Sequence, residues 1–255
     1  MDVILLGSGN VATHLGKALT EVGHRIAQVY SPSKTNAELL AEALKAKAID
    51  NLADVDSQAD AYIIAVKDDA IAQVASQLPT HLKGLVVHTA GSVDATVLAA
   101  YTMHYGVLYP LQTFSKAKAV DFSSIPLAIE GADEATYVQL ENLASSLSNR
   151  VFPCDSKQRL SLHVAAVFAC NFTNYLYSIS ADILYEHNLD FDVIRPLILE
   201  TAEKVMIHLP EDVLTGPAVR NDRGTIEKHL EMLEGHPDLK ELYARMSKQL
   251  RQYKK

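Results

Sequence analysis

The sequence predicts an α/β fold, a doubly wound parallel sheet over residues 1–155 followed by an all-helical domain over residues 156–255. Three observations carry that expectation. Short apolar runs alternate with helical patterns through the first part, as parallel strands joined by crossover helices do. A glycine-rich turn follows the first apolar run directly. Beyond Cys154 the strand signals stop and helical patterns alone continue.

In chain order, strands are expected at 3–6, 26–30, 61–66, 85–88, 106–109, 126–129 and 151–153. Several are apolar at consecutive positions, as strands covered on both faces are. Helices are expected between them at 11–22, 36–46, 69–77, 93–101 and 134–147. The second part opens on a long helix from 156 to about 187, whose run Val164-Ala165-Ala166-Val167-Phe168-Ala169 is too apolar for a small domain's surface. It reads as a domain core or a dimer interface. Later helices are separated by Asn188-Leu189-Asp190, Leu209-Pro210 and Gly235-His236-Pro237.

Composition narrows the function classes. With 255 residues, 48% of them hydrophobic, the chain supports real cores and is neither disordered nor fibrous. A net charge of −8 without long single-sign runs offers no basic footprint, so nucleic acid is not an expected partner. The first apolar run stops at Gly7, short of the ~18 residues that a membrane span needs. With no cleavable leader pattern and no CxxC pair, a cytoplasmic location is expected, and Cys154 and Cys170 read as buried small hydrophobes. The ten histidines show no ligand spacing, so no metal is expected. Lys240, Lys248, Arg251, Lys254 and Lys255 read as a solvated face.

The motif that carries chemistry is Gly7-Ser8-Gly9-Asn10-Val11-Ala12, a GxGxxA sequence between a buried strand and a helix. Gly7 permits the tight turn, Gly9 lets backbone approach a pyrophosphate, and Ala12 allows close packing of helix on strand, while the helix N-terminus faces the phosphates. It reads as the dinucleotide site of a Rossmann-like domain, the alternative being a glycine-rich turn that binds nothing. An NAD site places an acid about 20 residues on, at the end of the second strand. Here Ser31-Pro32-Ser33-Lys34 stands there, and its hydroxyls and lysine suit a 2′-phosphate, so NADP(H) is the expected cofactor. The alternative is that Ser31 to Ser33 turn the chain and cap the next helix, with Lys34 solvated.

Ligands of open α/β sheets sit beyond the carboxyl ends of the strands. Val66 and Lys67 are therefore expected at the cofactor, with Asp68 or Asp69 as alternative helix caps. Thr89, Ala90 and Gly91 would let a nicotinamide ring approach, and Gln112 and Thr113 offer polar groups to a substrate. On the long helix, His163, Asn171 and Asn174 stand eight and three residues apart in an apolar stretch, roughly on one face. His163 and Asn171 are the catalytic candidates and Asn174 a substrate contact. Gly216 and Pro217 turn the chain before Arg220, whose guanidinium suits a substrate carboxylate. The alternative there is a loop ordered by Asp222 as a helix cap.

Together with Ala65-Val66-Lys67-Asp68-Asp69-Ala70-Ile71, Tyr109-Pro110-Leu111-Gln112-Thr113-Phe114 and Leu214 to Asp222, the glycine motif resembles a bacterial family. Its members pair a Rossmann-like NADP-binding domain with a helical C-terminal domain of unknown function, of the DUF2520 type. The layout is more distantly similar to pyrroline-5-carboxylate reductase, ketopantoate reductase and the 3-hydroxyacid dehydrogenases. That resemblance implies a homodimer formed through the helical domain. The family has histidine where this chain has Tyr109, so no proton-transfer role carries over to that position. If Asn171 matches the asparagine of the dehydrogenases, their lysine falls on Val167, and their general acid is missing. The leading expectation is NADPH-dependent reduction of a small carbonyl or imine acid in an interdomain cleft. A non-catalytic NADP-binding or regulatory protein that keeps the fold is the alternative.

Overall fold

A computed structural model describes residues 1–253. The chain divides into two compact units, Met1–Tyr175 and a second from Leu176 onward. The first unit holds β1 (Asp2–Leu6), α1 (Asn10–Glu21), β2 (Arg25–Tyr30), α2 (Lys34–Leu44), β3 (Lys47–Ile49), β4 (Ala61–Ile64) and α3 (Ile71–Ser76). It continues through β5 (Leu85–His88), β6 (Tyr105–Pro110), β7 (Leu127–Gly131), α4 (Glu134–Leu147), β8 (Val151–Pro153) and α5 (Ser156–Ala166). A π-helical turn, Val167–Phe172, then leads into α6 (Thr173–Glu186), where the division falls.

The strands form one sheet in the order β3-β2-β1-β4-β5-β6-β7-β8. Alternation along β1 shows why both faces are apolar. Val3 and Leu5 pack with Leu15 and Leu19 of α1 and Leu40 of α2, whereas Ile4 and Leu6 pack with Ile71 and Val74 of α3. Strand order reverses beside β1, which leaves a crevice beyond the carboxyl ends of its strands.

Four elements depart from the sequence expectation. β3 is an additional edge strand, three residues long and too short to register as an apolar run. β7 runs antiparallel to β6, because the connection between them holds only a 3₁₀ turn at Phe122–Ser124 and no crossover helix. The helix expected at 93–101 is a 3₁₀ turn, Ala95–Leu98, where Asp94 accepts from the Thr96 amide and β-branched Thr96 and Val97 disfavour continuation. The long helix is interrupted by the π-helical turn, which Thr173 Oγ1 supports by donating to the Phe168 carbonyl at 3.1 Å.

Helices replace strands at Asp155, whose side chain caps α5 in a reciprocal box with Gln158. The first compact unit nevertheless extends to Tyr175, because Arg159 and Ser156 bind α5 to groups of the sheet unit, Glu130 and the Val93 carbonyl.

The second unit contains a 3₁₀ turn at Phe191–Ile194, α7 (Arg195–Ile207), α8 (Pro210–Val213), α9 (Arg223–Met232) and α10 (Pro237–Tyr253). Its punctuation follows the sequence: Asn188 has a positive φ of 58°, and Pro210 and Pro237 open helices. His229 and Tyr243 join α9 to α10 by a 2.7 Å hydrogen bond. Lys240 pairs with Glu234 instead of standing solvated, and Lys254 and Lys255 lie outside the described residues. Among the described residues, no helix is long and apolar enough to cross a membrane.

Candidate functional site

The turn after β1 is built on backbone conformation. Gly7 has a φ of +136°, donates its N–H to the Tyr30 carbonyl at 2.9 Å, and would place a Cβ 2.2 Å from the Ala65 carbonyl oxygen. Glycine is required there by the chain itself. Gly9 differs, since a Cβ on it would meet nothing within 4 Å. Gly9 is the N-cap of α1, and no side chain caps that helix or puts an acid in its first turn. The first amides of a twelve-residue helix are thus presented beside a residue without a side chain, which fits a pyrophosphate.

These residues line a cavity of about 650 Å³ beyond the carboxyl ends of β1, β2, β4 and β5. The cavity brings together the expected Gly7, Ser8, Gly9, Asn10, Val11, Ser31, Val66, Lys67 and Thr89. Sequence reasoning did not anticipate Leu52, Gln73 or Gln77 in its wall. Ser8 Oγ donates to Ser31 Oγ at 3.0 Å, which ties the glycine-rich turn to the end of β2 where an NAD site would carry an acid. Ser33 and Lys34 do not line the cavity. Ser33 caps α2 by accepting from the Asn36 amide, and Lys34 is its first residue, exposed. Neither Asp68 nor Asp69 caps α3; Asp68 instead accepts from Ser92 Oγ and lines the cavity.

The loop after β6 folds back onto the glycine-rich turn. Asn10 Nδ2 donates to the Phe114 carbonyl at 2.9 Å, His14 bonds to the Ser115 carbonyl while stacking on Phe114, and Lys116 Nζ donates to the Ser8 carbonyl at 3.1 Å. Lys116 thereby joins the site as a cation that sequence reading missed, because nothing local links it to a turn 108 residues away. Gln112 and Thr113 spend polar groups on each other, Gln112 Oε1 accepting from the Thr113 amide at 2.8 Å.

Ala90 and Gly91 are buried behind Thr89 and do not line the cavity. Gly91 lies against two side chains, since a Cβ there would be 2.7 Å from His163 Nδ1 and 2.9 Å from Tyr109 Cζ. Tyr109 Oη and His163 Nδ1 are hydrogen-bonded at 3.1 Å. Burial first, then the Asp68 carboxylate, push the Tyr109 phenol above its ordinary range. At the end of β5, His88 is wholly buried and accepts the Ala90 amide at Nδ1; desolvation lowers its pKa to about 4.

Asn171 and Asn174 are exposed, Asn171 on the π-helical turn. That turn has more residues than an α-helical one, so counting by 3.6 from His163 misjudges how the three polar residues face one another. Cys154 is buried, but Cys170 is exposed, contrary to expectation. In the second unit, Gly216 has a φ of +114° and accepts the Arg220 amide at 3.2 Å, and Arg220 is exposed. Asp222 caps α9 through Thr225, whose hydrogen bonds hold its carboxyl below the usual range.

With this geometry in hand, comparisons identify the lineage. A family model described as NADP oxidoreductase coenzyme F420-dependent matches residues 2–91, and a domain of unknown function, DUF2520, matches residues 125–250. A Bacteroides fragilis protein assigned as an NADP oxidoreductase is 44% identical, covers 98% of each chain and superposes with a TM-score of 0.90. Pyrroline-5-carboxylate reductase from Streptococcus pyogenes is 16% identical, with 99% of this chain and 98% of that one covered and a TM-score of 0.67. An imine reductase from Myxococcus stipitatus, solved with NADP+, is 16% identical, with 99% and 93% covered and a TM-score of 0.70. These two likenesses are of fold. No curated protein matches the chain. The chain belongs to the NADP oxidoreductase family in which a Rossmann-like NADP-binding domain is followed by a DUF2520 domain.

Proposed function

We propose that the chain is an NADPH-dependent reductase of a small carbonyl or imine acid. The observation that carries this reading is the cavity of about 650 Å³, in which an uncapped helix N-terminus, the open space at Gly9 and the hydroxyl of Ser31 come together. Gly7 to Val11 hold the pyrophosphate, Ser31 in the cavity wall reads the 2′-phosphate with Ser33 and Lys34 following it outside the wall, and Val66, Lys67 and Thr89 border the remaining half of the dinucleotide, with Ala90 and Gly91 behind Thr89. The absence of a carboxylate at Ser31 favours NADPH, because an acid there would repel the extra phosphate. Bound cofactor supplies the hydride. Arg220, in the loop turned by Gly216 and Pro217, is proposed for a substrate carboxylate; in the first unit, Gln112, Thr113 and Asn174 are proposed as substrate contacts, with His163 and Asn171 at the chemistry.

A homodimer through the helical part accompanies this reading. Leu160, Val164, Phe168 and Phe172 recur every four residues along α5 and the π-helical turn, and all are exposed. An apolar stripe of that length is normally covered.

A second reading, a non-catalytic NADP-binding protein, is favoured by Val167 if Asn171 matches the asparagine of the dehydrogenases, since their lysine then falls on it. Calorimetric titration with NADPH and NADH, followed by NADPH oxidation against a panel of small oxo acids and cyclic imino acids, separates the readings. NADPH binding with turnover supports the reductase. Binding without turnover supports the sensor, and failure to bind either nucleotide overturns both. Ser31→Asp is expected to weaken NADPH at least about tenfold while sparing NADH.

A further inference from the structure

Tyr109 occupies a position to which the sequence resemblance assigns nothing, yet three features converge on it. It is the penultimate residue of β6, and its hydroxyl is bonded to His163 Nδ1 at 3.1 Å, with the rings 6.1 Å apart and edge to face. Gly91 is what lets the two side chains meet. A Cβ at that position would lie 2.7 Å from His163 Nδ1 and 2.9 Å from Tyr109 Cζ, so any larger residue would drive into the contact. The pair also meets at a glycine that lies close in the chain to wall residues of the cofactor cavity. Thr89, two residues before Gly91, lines that cavity, and Asp68, also in its wall, accepts from Ser92 beside Gly91.

Sheet order adds direction. The glycine-rich turn follows β1, and the Ser31 segment that reads the adenosine end follows β2 on one side. A dinucleotide extending from β2 across the switch point runs toward β4 and β5 on the other side, and β6, which carries Tyr109, is the next strand. Tyr109 therefore stands on the side where the reacting half of the cofactor belongs.

We propose that Tyr109 is the proton donor of the reductase reaction and that His163 is the positioning residue that orients and reprotonates it. The inference rests on the reductase reading above. As hydride adds to the carbon of the substrate C=O or C=N bond, its π pair moves onto the oxygen or nitrogen. The Tyr109 O–H bond breaks, and the proton forms the new O–H or N–H bond. His163, hydrogen-bonded to that oxygen through Nδ1, passes a ring proton back to it and is itself reprotonated by water. Hydride and proton together account for the two-electron reduction.

The electrostatic setting suits a donor. The groups that act on Tyr109 are Asp68 after β4, Arg159 on α5, Cys154 after β8 and Cys170 on the π-helical turn, besides His163; His88 at the end of β5 lies under the influence of the same Asp68 and Arg159. Burial and Asp68 outweigh Arg159, so the phenol keeps its proton at neutral pH. General acid catalysis of this kind is typically worth 10²–10⁴-fold.

Tyr109→Phe keeps the ring and removes the donor. Against whichever oxo or imino acid of the panel the wild type reduces, the variant is expected to lose at least about 100-fold in kcat, while calorimetry shows NADPH affinity within about twofold of wild type. His163→Gln is expected to lower kcat and change the shape of its pH profile, a readout that loss of packing alone would not move. A readout independent of turnover is the ¹⁵N resonance of His163 Nδ1 in the protein without cofactor, which Tyr109→Phe should shift. Wild-type kcat in Tyr109→Phe, an unmoved resonance, or an unchanged pH profile in His163→Gln overturns the inference and leaves the reductase reading standing. Absence of wild-type turnover across the panel overturns both.

Discussion

The guanidinium of Arg159, wholly buried, is paired with the carboxylate of Glu130 at the end of β7. The same guanidinium donates to the Val93 carbonyl at 2.6 Å and to Ser156 Oγ at 3.0 Å, and Ser156 Oγ itself donates to Glu130 at 2.8 Å. One charged group thus connects α5, β7 and the segment after β5. His163 lies four residues further along α5, one turn above this anchor, so the pair fixes where the His163 ring meets Gly91 and Tyr109.

Removing one partner of a buried ion pair leaves the other charge without compensation, which typically costs 3–5 kcal/mol. Arg159→Met is expected to lower the free energy of unfolding by about 3 kcal/mol or more, measured by urea denaturation at pH 7. The double variant with Glu130→Met should recover part of that loss, since no lone charge remains. Equal stabilities for Arg159→Met and wild type would remove the anchor from the account.

Gly7 and Gly9 should respond differently to the same substitution. At Gly7 an alanine needs a left-handed backbone and collides with the Ala65 carbonyl, so Gly7→Ala is expected to cost about 2 kcal/mol or more. At Gly9 the chain has room and an ordinary φ of −76°, so Gly9→Ala should unfold within about 0.5 kcal/mol of wild type. Its added methyl stands where a phosphate must approach, and NADPH affinity is expected to fall at least about tenfold. Thermal unfolding and calorimetric titration of both variants check the contrast, which would be lost if Gly9→Ala bound NADPH like the wild type.

That contrast explains which parts of the site the sequence displays. The turn is legible because Gly7 answers a local demand of φ and close approach, and the adjoining strand and helix carry their own periodicities. Lys116 on the Ser8 carbonyl and Arg159 under Glu130 are long-range pairings, and no local pattern announces them. The reversed direction of β7 escapes notice because an apolar strand reads alike in either direction. Cys170 was misjudged for a related reason. Residues 164–169 have a core-like composition, but a surface awaiting a partner subunit has that composition too, and only the structure shows that Val164 and Phe168 are exposed.

The stripe Leu160, Val164, Phe168 and Phe172 gives the proposed dimer a direct test. Phe168 is 64% exposed and lies outside the cofactor cavity, so a charge there should disturb association without touching nucleotide binding. Sedimentation equilibrium of the wild type is expected to give a dimer, and Phe168→Glu a monomer that still binds NADPH. A wild type that sediments as a monomer at micromolar concentration would show that the stripe is covered by something other than a second copy.

His88 sets an acid limit on stability. Its ring is wholly buried at the end of β5, and desolvation holds its pKa at about 4 against an ordinary 6.5. The folded protein therefore keeps the ring neutral while the unfolded chain protonates it, so stability is full above pH 6.5 and declines as pH falls toward 4. By pH 5 the loss amounts to about 2 kcal/mol, from about 1.4 kcal/mol per pH unit below the unfolded value. Urea denaturation of wild type and His88→Gln at pH 7.5 and pH 5 isolates this contribution from the carboxylates, which both proteins share. The wild type should lose more stability than His88→Gln over that interval by roughly the stated amount, and equal losses would mean that the buried imidazole is protonated as readily in the folded chain as in the unfolded one.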